Sequence, residues 1–305
     1  PPFGATFTYF LPEKLNSQKE ARQKAEKAQR EAGANVPFPG WGTLRAEAEE
    51  QQPRLLLLVC DEAGQPVRWL EGAVDAGVHR VSWDLRFAPP DPIKLDQEAF
   101  AEPWETPPQG PLVAPGNYQV ALYVQTSEGL REVGATQHFV VKVLPTVTHA
   151  GDLADVVAFQ QHAAELMRQI SGAAVEVGRA EQRLAHLRAA LTAAPHADLT
   201  LFARVDALTH SLAALRRRLQ GDEIRAKLDE ANSPSISGQV QRVVGGHWQT
   251  RQSPTATQRQ SLAHAEAQFA SWRTELATFV QETLIQLEAD LEAIGAPWTP
   301  GRRLE

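Results

Sequence analysis

Three residue types are scarce in this 305-residue chain, which holds one Cys, one Met and three Tyr. Cys60 alone cannot form an intrachain disulfide, and its place in an apolar run favours a small buried side chain over a nucleophile. No apolar run approaches the roughly 18–20 residues that a bilayer-spanning helix needs, so we expect no membrane insertion. The net charge is −7, which disfavours nucleic-acid binding because phosphate contacts need clustered Lys and Arg.

Sequence motifs of metal-binding, catalytic and nucleotide-binding sites are missing as well. The sequence holds no HExxH, no paired Cys and no two His at a spacing of four, and its nine His residues are scattered. It also has no GxSxG, no P-loop and no GxGxxG. We therefore expect no catalytic residue, no metal ligand and no cofactor-binding residue in this chain, and we do not expect it to be an enzyme.

The first residues of the chain give little information on its context. It starts with Pro1-Pro2, and Met167 is its only Met, so we interpret it as a part or a processed product of a longer protein. No signal peptide is visible, so the compartment cannot be inferred from targeting.

The clearest structural signal spans residues 55–85, which we interpret as three consecutive strands joined by tight turns. Residues 55–59 (LLLLV) form a short apolar run typical of a strand buried on both faces. Residues 61–64 (DEAG) are typical of a turn. In the last strand apolar and polar residues alternate, so Val81, Trp83 and Leu85 should share one face.

These strands assign residues 1–146 to an antiparallel β-sandwich of immunoglobulin or fibronectin type, with later strands at 117–125 and 138–144. Residues 12–53 are predicted to form a helical insertion that lies on the surface, because its first helix lacks an apolar stripe. Residues 86–115 carry eight prolines, which predicts an irregular loop. We expect Phe100 and Trp104 to hold this loop along the sandwich edge, and a polyproline ligand is the alternative.

Residues 150–295 turn to an Ala-, Leu- and Gln-rich composition and are predicted to form an antiparallel up-down bundle of three long helices. Apolar residues recur in steps of three and four, as in a heptad seam. The first helix, of about 40 residues, would be roughly 60 Å long. We expect the second helix to stop near residues 232–234, a short helix at 236–244, and a third helix capped by Ser253 or by Thr255. Residues 296–305 should form a C-terminal tail, and the predicted fold class is α+β with several domains.

Aromatic and His residues supply the candidate contacts with other molecules. Trp41, Trp104, His247 and Trp248 form a candidate interaction surface, with His247 and Trp248 expected in a loop. For His79 and His247 ordinary packing is favoured over catalysis, since no base or nucleophile accompanies either of them.

Charged residues near predicted turns offer a weaker set of candidates. Turn formation and solvation explain Asp61, Glu71, Asp75 and Asp84 better than a glycosidase pair does, because such a pair needs a cleft. Asp84 is the strongest of these four. Residues 216–218 (RRR) could meet phosphate or an acidic partner, but a solvated face near a helix C-terminus explains them at lower cost.

Three segments resemble immunoglobulin-like modules of the FlgD type: residues 59–70 (VCDEAGQPVRWL), 76–84 (AGVHRVSWD) and 115–118 (PGNY). Such modules are common at the C-terminal ends of bacterial secreted and surface proteins, and the resemblance implies a fold without catalytic residues. Residues 1–10 (PPFGATFTYF) and 295–301 (GAPWTPG) are similar to the C-terminal region of bacterial proteins with sortilin-like β-propellers, labelled BNR-repeat glycosyl hydrolases. No Asp-box repeat (SxDxGxTW) occurs here, so the propellers are absent and a hydrolase label would belong to them.

The resemblance and the lack of a reactive constellation together indicate a non-catalytic accessory module. We expect it to support or dock upstream propeller domains of the same polypeptide, or to mediate assembly in a secreted or cell-envelope protein. The alternative is a carbohydrate-binding or glycoside-hydrolase-associated module, with Trp41 and Trp104 as candidate contacts. Self-association through the long helices is a third expectation.

Overall fold

The computed structural model describes residues 3–95, 107–144 and 152–302. The fold is mixed, with two antiparallel sheets and a set of helices that includes one of 41 residues. The chain divides into two compact units. The sheet unit comprises residues 1–88 and 112–148, and the helical unit comprises residues 89–111 and 149–305.

The sheet unit contains six strands and two helices among its described residues. In chain order they are β1 (Ala5–Leu11), α1 (Gln18–Glu31), α2 (Trp41–Glu49), β2 (Arg54–Asp61), β3 (Pro66–Gly72), β4 (Gly77–Trp83), β5 (Gly116–Thr126) and β6 (Gly129–Val141). One sheet has the order β3-β2-β5-β6, and the other pairs β1 with β4. The three strands predicted between residues 55 and 85 are confirmed, but β4 pairs with β1 rather than with β3.

One apolar core is shared by the two sheets. Trp83 of β4 is fully buried, donates from Nε1 to the carbonyl of Arg86 at 2.9 Å, and lies 5.6 Å from the ring of Tyr118 in β5. Tyr9 of β1 reaches across and donates its hydroxyl to the Ala73 carbonyl at 2.8 Å. The expected face of Val81, Trp83 and Leu85 therefore points into this core, to which all three contribute.

The helical insertion lies at the surface, as its composition predicts. α1 has no buried residue, and a capping box between Ser17 and Glu20 fixes its start. It ends before Gly33, whose φ of +72° suits glycine. α2 spans Trp41–Glu49 and is likewise mostly exposed, with Glu47 as its buried residue.

The start of β6 differs from the sequence-based expectation. β6 begins at Gly129, directly after the hairpin turn, and not at His138. Its first half is mostly exposed, so it lacks the apolar alternation that would have marked it. The Pro-rich loop is anchored where it leaves and rejoins the sheet unit, by a bridge between Arg86 and Leu112. Phe100 and Trp104 lie outside the described residues.

The helical unit is built from six α-helices among its described residues. They are α3 (Leu153–Ala193), α4 (Leu199–Gln220), α5 (Glu223–Lys227), α6 (Ile236–His247), α7 (Ala256–Thr278) and α8 (Leu284–Ala293). A π-helical segment, Phe279–Thr283, joins α7 to α8. At 41 residues, α3 matches the length that its heptad pattern predicts.

Helices α3, α4, α6, α7 and α8 share one apolar core. The heptad positions of α3 supply buried residues such as Leu166, Leu184 and Leu187. The cap of α7 is Thr255, whose side chain and that of Gln258 form a capping box, so this alternative is correct and Ser253 is not the cap.

Two helix ends in this unit correct the sequence-based expectation. α4 ends at Gln220, because Gly221 adopts a φ of +103°, and a short α5 follows it. α6 continues through Gly245-Gly246 to His247, since its apolar face is buried as far as that residue. Helix propensity of glycine is low, but tertiary packing overrides it here.

The residues after α8 pack on the helical unit. Ala296, Thr299 and Arg302 are buried. The Arg302 guanidinium donates to the carbonyls of Ala296 and Pro297, at 3.2 and 2.8 Å, and pairs with Glu292. Arg302 thus supplies hydrogen bonds to carbonyl groups just beyond a helix end, where helical partners are lacking.

Candidate interaction surfaces

The outer face of the four-stranded sheet carries apolar side chains. Leu55, Leu57 and Val59 of β2 are buried in the core, so the alternate residues Leu56 and Leu58 point to the other side of the sheet. Both are only partly buried, so the expectation of a strand buried on both faces is wrong in detail.

Neighbouring strands extend this apolar surface. Leu58 lies opposite Trp69 of β3 and Ala121 of β5, and Leu56 lies opposite Tyr123 of β5. We call the set the Trp69 face and define it by Leu56, Leu58, Trp69, Ala121 and Tyr123. The rings of Trp69 and Tyr123 pack edge to face, with centroids 5.4 Å apart.

Charged residues border the Trp69 face: an ion pair between Arg54 and Glu71, and Glu132 of β6, which lies opposite Tyr123 and accepts from its hydroxyl at 3.5 Å. Arg54 donates to both carboxylate oxygens of Glu71, at 3.1 and 2.8 Å, and this contact lowers the pKa of Glu71. Desolvation raises the pKa of Tyr123, so its phenol stays protonated. Trp69 itself is 46% exposed. The face is therefore largely apolar and partly exposed.

A second aromatic surface lies in the helical insertion. Trp41 opens α2 and is 70% exposed, and Phe38 lies just before it with its ring 5.2 Å away and inclined by 68°. We call these two residues the Phe38–Trp41 pair. An open cleft of about 610 Å³ lies beside it, lined in part by Phe38, Arg22 and Arg30.

An ion pair between α1 and α2 positions the Phe38–Trp41 pair. Arg22 donates from Nε and Nη2 to the two carboxylate oxygens of Glu47, at 2.5 and 2.8 Å. Glu47 is largely buried, and the hydrogen bonds from Arg22 lower its pKa. A bidentate pair of this kind fixes orientation as well as distance, so the loop between the two helices has a defined shape.

His247 and Trp248 have environments unlike the one the sequence suggests. His247 closes α6 rather than lying in a loop, and its side chain is 1% exposed. It packs against Phe159, and Gln160 of α3 donates to its carbonyl at 2.9 Å. Its side chain is thus part of the interior, and Trp248 is half-buried beside it. Trp41 belongs to the sheet unit, and these two residues belong to the helical unit.

The carboxylates singled out in the sequence have structural contacts. Asp61 accepts from the amides of Ala63 and Gln65, which closes the β2–β3 turn, and Asp84 accepts from the amide of Arg86. His79 lies 2.7 Å from the Asp75 carbonyl. These contacts support the turn-forming interpretation.

In the parts of the chain that the structure describes, the thiol, the potential metal ligands and the basic cluster do not form a reactive site. Burial raises the pKa of the Cys60 thiol, which keeps it protonated and weakly nucleophilic. Within the described ranges no three His, Cys, Asp or Glu side chains gather where they could hold a metal ion. Arg216 and Arg218 of the basic cluster form ion pairs with Glu223 and Glu275.

Comparisons with known proteins add no further constraint. No family model matches the chain, and neither a curated protein nor a solved structure is similar enough to count as a match. Over the described ranges, no helix combines the length and the apolar character that crossing a membrane demands.

The Trp69 face was the surface that sequence reasoning missed. Its signal lies in residues 55–59, where both alternating positions are apolar although a hairpin strand at a solvent face should be polar at every second position. Tyr123 and Trp69 also fall on the outer positions of β5 and β3. Their pairing depends on strand order, which no local pattern specifies.

Proposed function

We propose that this chain is a non-catalytic accessory module that docks or supports a sortilin-like β-propeller domain of the same polypeptide, in a secreted or envelope bacterial protein. In this proposal the sheet unit is a FlgD-like immunoglobulin-type sandwich, and the helical unit is an antiparallel up-down bundle. The observation that carries the proposal is the Trp69 face.

The sandwich assignment is supported by the contacts between the two sheets. Tyr9 of β1 lies so close to β3 that a Cβ on Gly72 would stand 2.5 Å from its hydroxyl. The same Cβ would stand 2.8 Å from the side chain of Leu55, which lies opposite Gly72 in the four-stranded sheet, whereas Tyr9 belongs to the two-stranded sheet. Side chains of both sheets thus interdigitate across one layer, as in face-to-face sheet packing.

The Trp69 face has the composition of a protein-binding surface. Aromatic residues are enriched where protein partners meet, and a few central Trp, Tyr and Arg residues carry most of the binding energy. Because Arg54 is already paired with Glu71, the face offers no free cation to an anionic ligand. An apolar patch on another folded domain is the partner whose chemistry it fits.

Light scattering tests this proposal. The chain is mixed with the β-propeller region of its own polypeptide, produced separately, and the mass of the complex is measured. Trp69→Thr, which keeps strand propensity, should weaken the complex by roughly tenfold or more. Trp41→Ala is the matched control and should leave it unchanged. Absence of a complex, or a complex insensitive to Trp69→Thr, contradicts the proposal.

The alternative is a carbohydrate-binding module that uses the Phe38–Trp41 pair. The observation in its favour is the exposure of both rings beside an open cleft. Against it stands the angle of 68° between the rings, which leaves no flat two-ring platform. A Trp fluorescence titration with a panel of oligosaccharides separates the two proposals, because saturable quenching lost in Trp41→Ala but kept in Trp69→Thr would favour the alternative.

A further inference from the structure

One exposed stripe of α3 carries charges in an order that would place acidic against basic residues if a second α3 lay beside it in the opposite direction. Glu165, Arg168, Gly172, Glu176 and Arg179 follow one another in steps of three, four, four and three residues. At 3.6 residues per turn these steps place all five on one side of the helix. We call this set the α3 stripe. The four charged side chains are between 38% and 70% exposed, and Gly172 is exposed as well.

The charges of the α3 stripe form ion pairs only inside their own helix among the described residues. Arg168 pairs with Glu165 at 2.6 Å, and Arg179 pairs with Glu176 at 3.6 Å. The other four charged residues of α3 all pair with other parts of the helical unit: Asp155 with Arg259, Glu181 with Arg216, Arg183 with Glu288, and Arg188 with Asp206. The stripe is thus the segment of α3 whose charges are not used in holding the unit together.

The order of charges inverts about Gly172. Arg168 and Glu176 lie four residues to either side of it, about 6 Å along the axis, and Glu165 and Arg179 lie seven residues away, about 10 Å along the axis. A second α3 that runs antiparallel and crosses at Gly172 would therefore set Arg168 against Glu176 and Glu165 against Arg179. A two-fold axis repeats each of these contacts, as an isologous interface requires.

Gly172 has no role that the fold of one chain explains. A Cβ added there would meet nothing within 4 Å, and its φ is not positive. A glycine inside a helix lowers the helix-forming equilibrium about fivefold relative to alanine. At a crossing point, by contrast, the lack of a side chain lets two helix axes approach closely. An open groove of about 430 Å³, lined partly by Ala173, Leu276 and Val280, runs beside it.

We propose that a second copy of this chain binds the α3 stripe, forming an antiparallel, two-fold symmetric dimer that crosses at Gly172. The proposal uses the helical unit alone and does not depend on the function proposed for the Trp69 face. Because the complementary pairs are exposed, the association is weak and falls as salt is added.

Sedimentation velocity of the full chain over a concentration series at low salt tests the dimer. Arg168→Glu alone, or Glu176→Arg alone, sets like charges against each other twice and should raise the dimer dissociation constant roughly tenfold or more. The double variant restores opposite charges across the axis and should return the constant to near its original value. Arg242→Glu and Glu230→Arg, at exposed positions of the same unit, are the controls for net charge.

A thermal melt at low concentration separates this effect from damage to the helix. In the double variant position 168 is acidic beside Glu165, and position 176 is basic beside Arg179, so both pairs within the helix bring like charges together. Monomer stability should therefore not recover, although dimerisation does. A chain that stays monomeric throughout the series, a dimer that ignores the single reversals, or a double variant as weak as the singles would overturn the proposal.

Discussion

His247 shows how one buried side chain ties an interhelical segment to α3. Its Nε2 lies 3.0 Å from the Gln252 carbonyl and so donates, which leaves Nδ1 to accept from Gln160 Nε2 at 3.3 Å. A proton on Nδ1 would place two donors face to face. Burial lowers the pKa of His247 below its usual value of 6.5, and Arg259 lowers it further, while Asp155 and the bond to Gln252 act in the opposite direction.

This arrangement predicts a loss of stability in mild acid. Below about pH 6.5 the unfolded state binds a proton that the folded state excludes, so the free energy of unfolding should fall as the pH drops and level off below the folded-state pKa. His247→Gln should flatten this dependence. Urea titrations at a series of pH values measure it, with His264→Gln at an exposed position as the control. Equal pH slopes for the parent chain and His247→Gln would contradict the account.

Gly72 marks a close approach of the two sheets. An added Cβ would lie 2.5 Å from the Tyr9 hydroxyl and 2.8 Å from Leu55. Gly72→Ala should therefore lower the free energy of unfolding by about 1–3 kcal/mol, since the neighbours must shift. Gly42→Ala in α2 meets nothing within 4 Å and should instead raise it by up to about 1 kcal/mol. Denaturant midpoints of the two variants measure the difference, and equal effects would refute the close contact.

At the scale of whole elements, the π-helical segment has a cause that is visible in the sequence. Buried apolar residues from Leu262 to Leu291 recur in steps of three and four, except for a step of five from Phe279 to Leu284. A regular α-helix cannot keep both on one face across that step, because each residue turns it by about 100°. One additional residue accommodated as a π-helical turn restores the alignment. The third long helix expected from the sequence is therefore two α-helices, α7 and α8, joined by this segment.

Deleting a residue tests this explanation. Removing exposed Gln281 turns the step of five into four, so α7 and α8 should merge into one α-helix, with the unfolding free energy changed by no more than about 1 kcal/mol. Removing Ala270, in the middle of α7, rotates the following core residues by about 100° and should cost several kcal/mol. Circular dichroism and thermal melts compare the two. Equal damage from both deletions would show that the segment is not a one-residue insertion.

Patterns within a few neighbouring residues predict most of the helices and strands. Contacts between residues far apart in the sequence cannot be predicted from such patterns. Ser17 and Asp198 cap helices, in keeping with the preference for Ser and Asp at that position, because their side-chain oxygens accept from first-turn amides. The pairing of β4 with β1 joins residues 66 to 78 positions apart, and no pattern within either strand specifies it. The burial of His247 likewise depends on Gln160 and Phe159, which lie in another helix.

At the scale of the whole molecule, the chain combines a sheet unit and a helical unit that each have their own core. We propose one contact surface on each: the Trp69 face for a propeller domain and the α3 stripe for a second copy. Both depend on side chains that the core of their unit leaves exposed. The two surfaces can be tested separately, because their residues lie in different units.

Side-chain oxidation footprinting of the complex with the propeller region tests the central claim most directly. Solvent-generated radicals oxidise exposed aromatic rings, and mass spectrometry measures the extent at each ring with and without the partner. The account predicts that oxidation of Trp69 and Tyr123 falls in the complex while that of Trp41 is unchanged. Protection of Trp41 with Trp69 unaffected would contradict it and move the contact to the helical insertion.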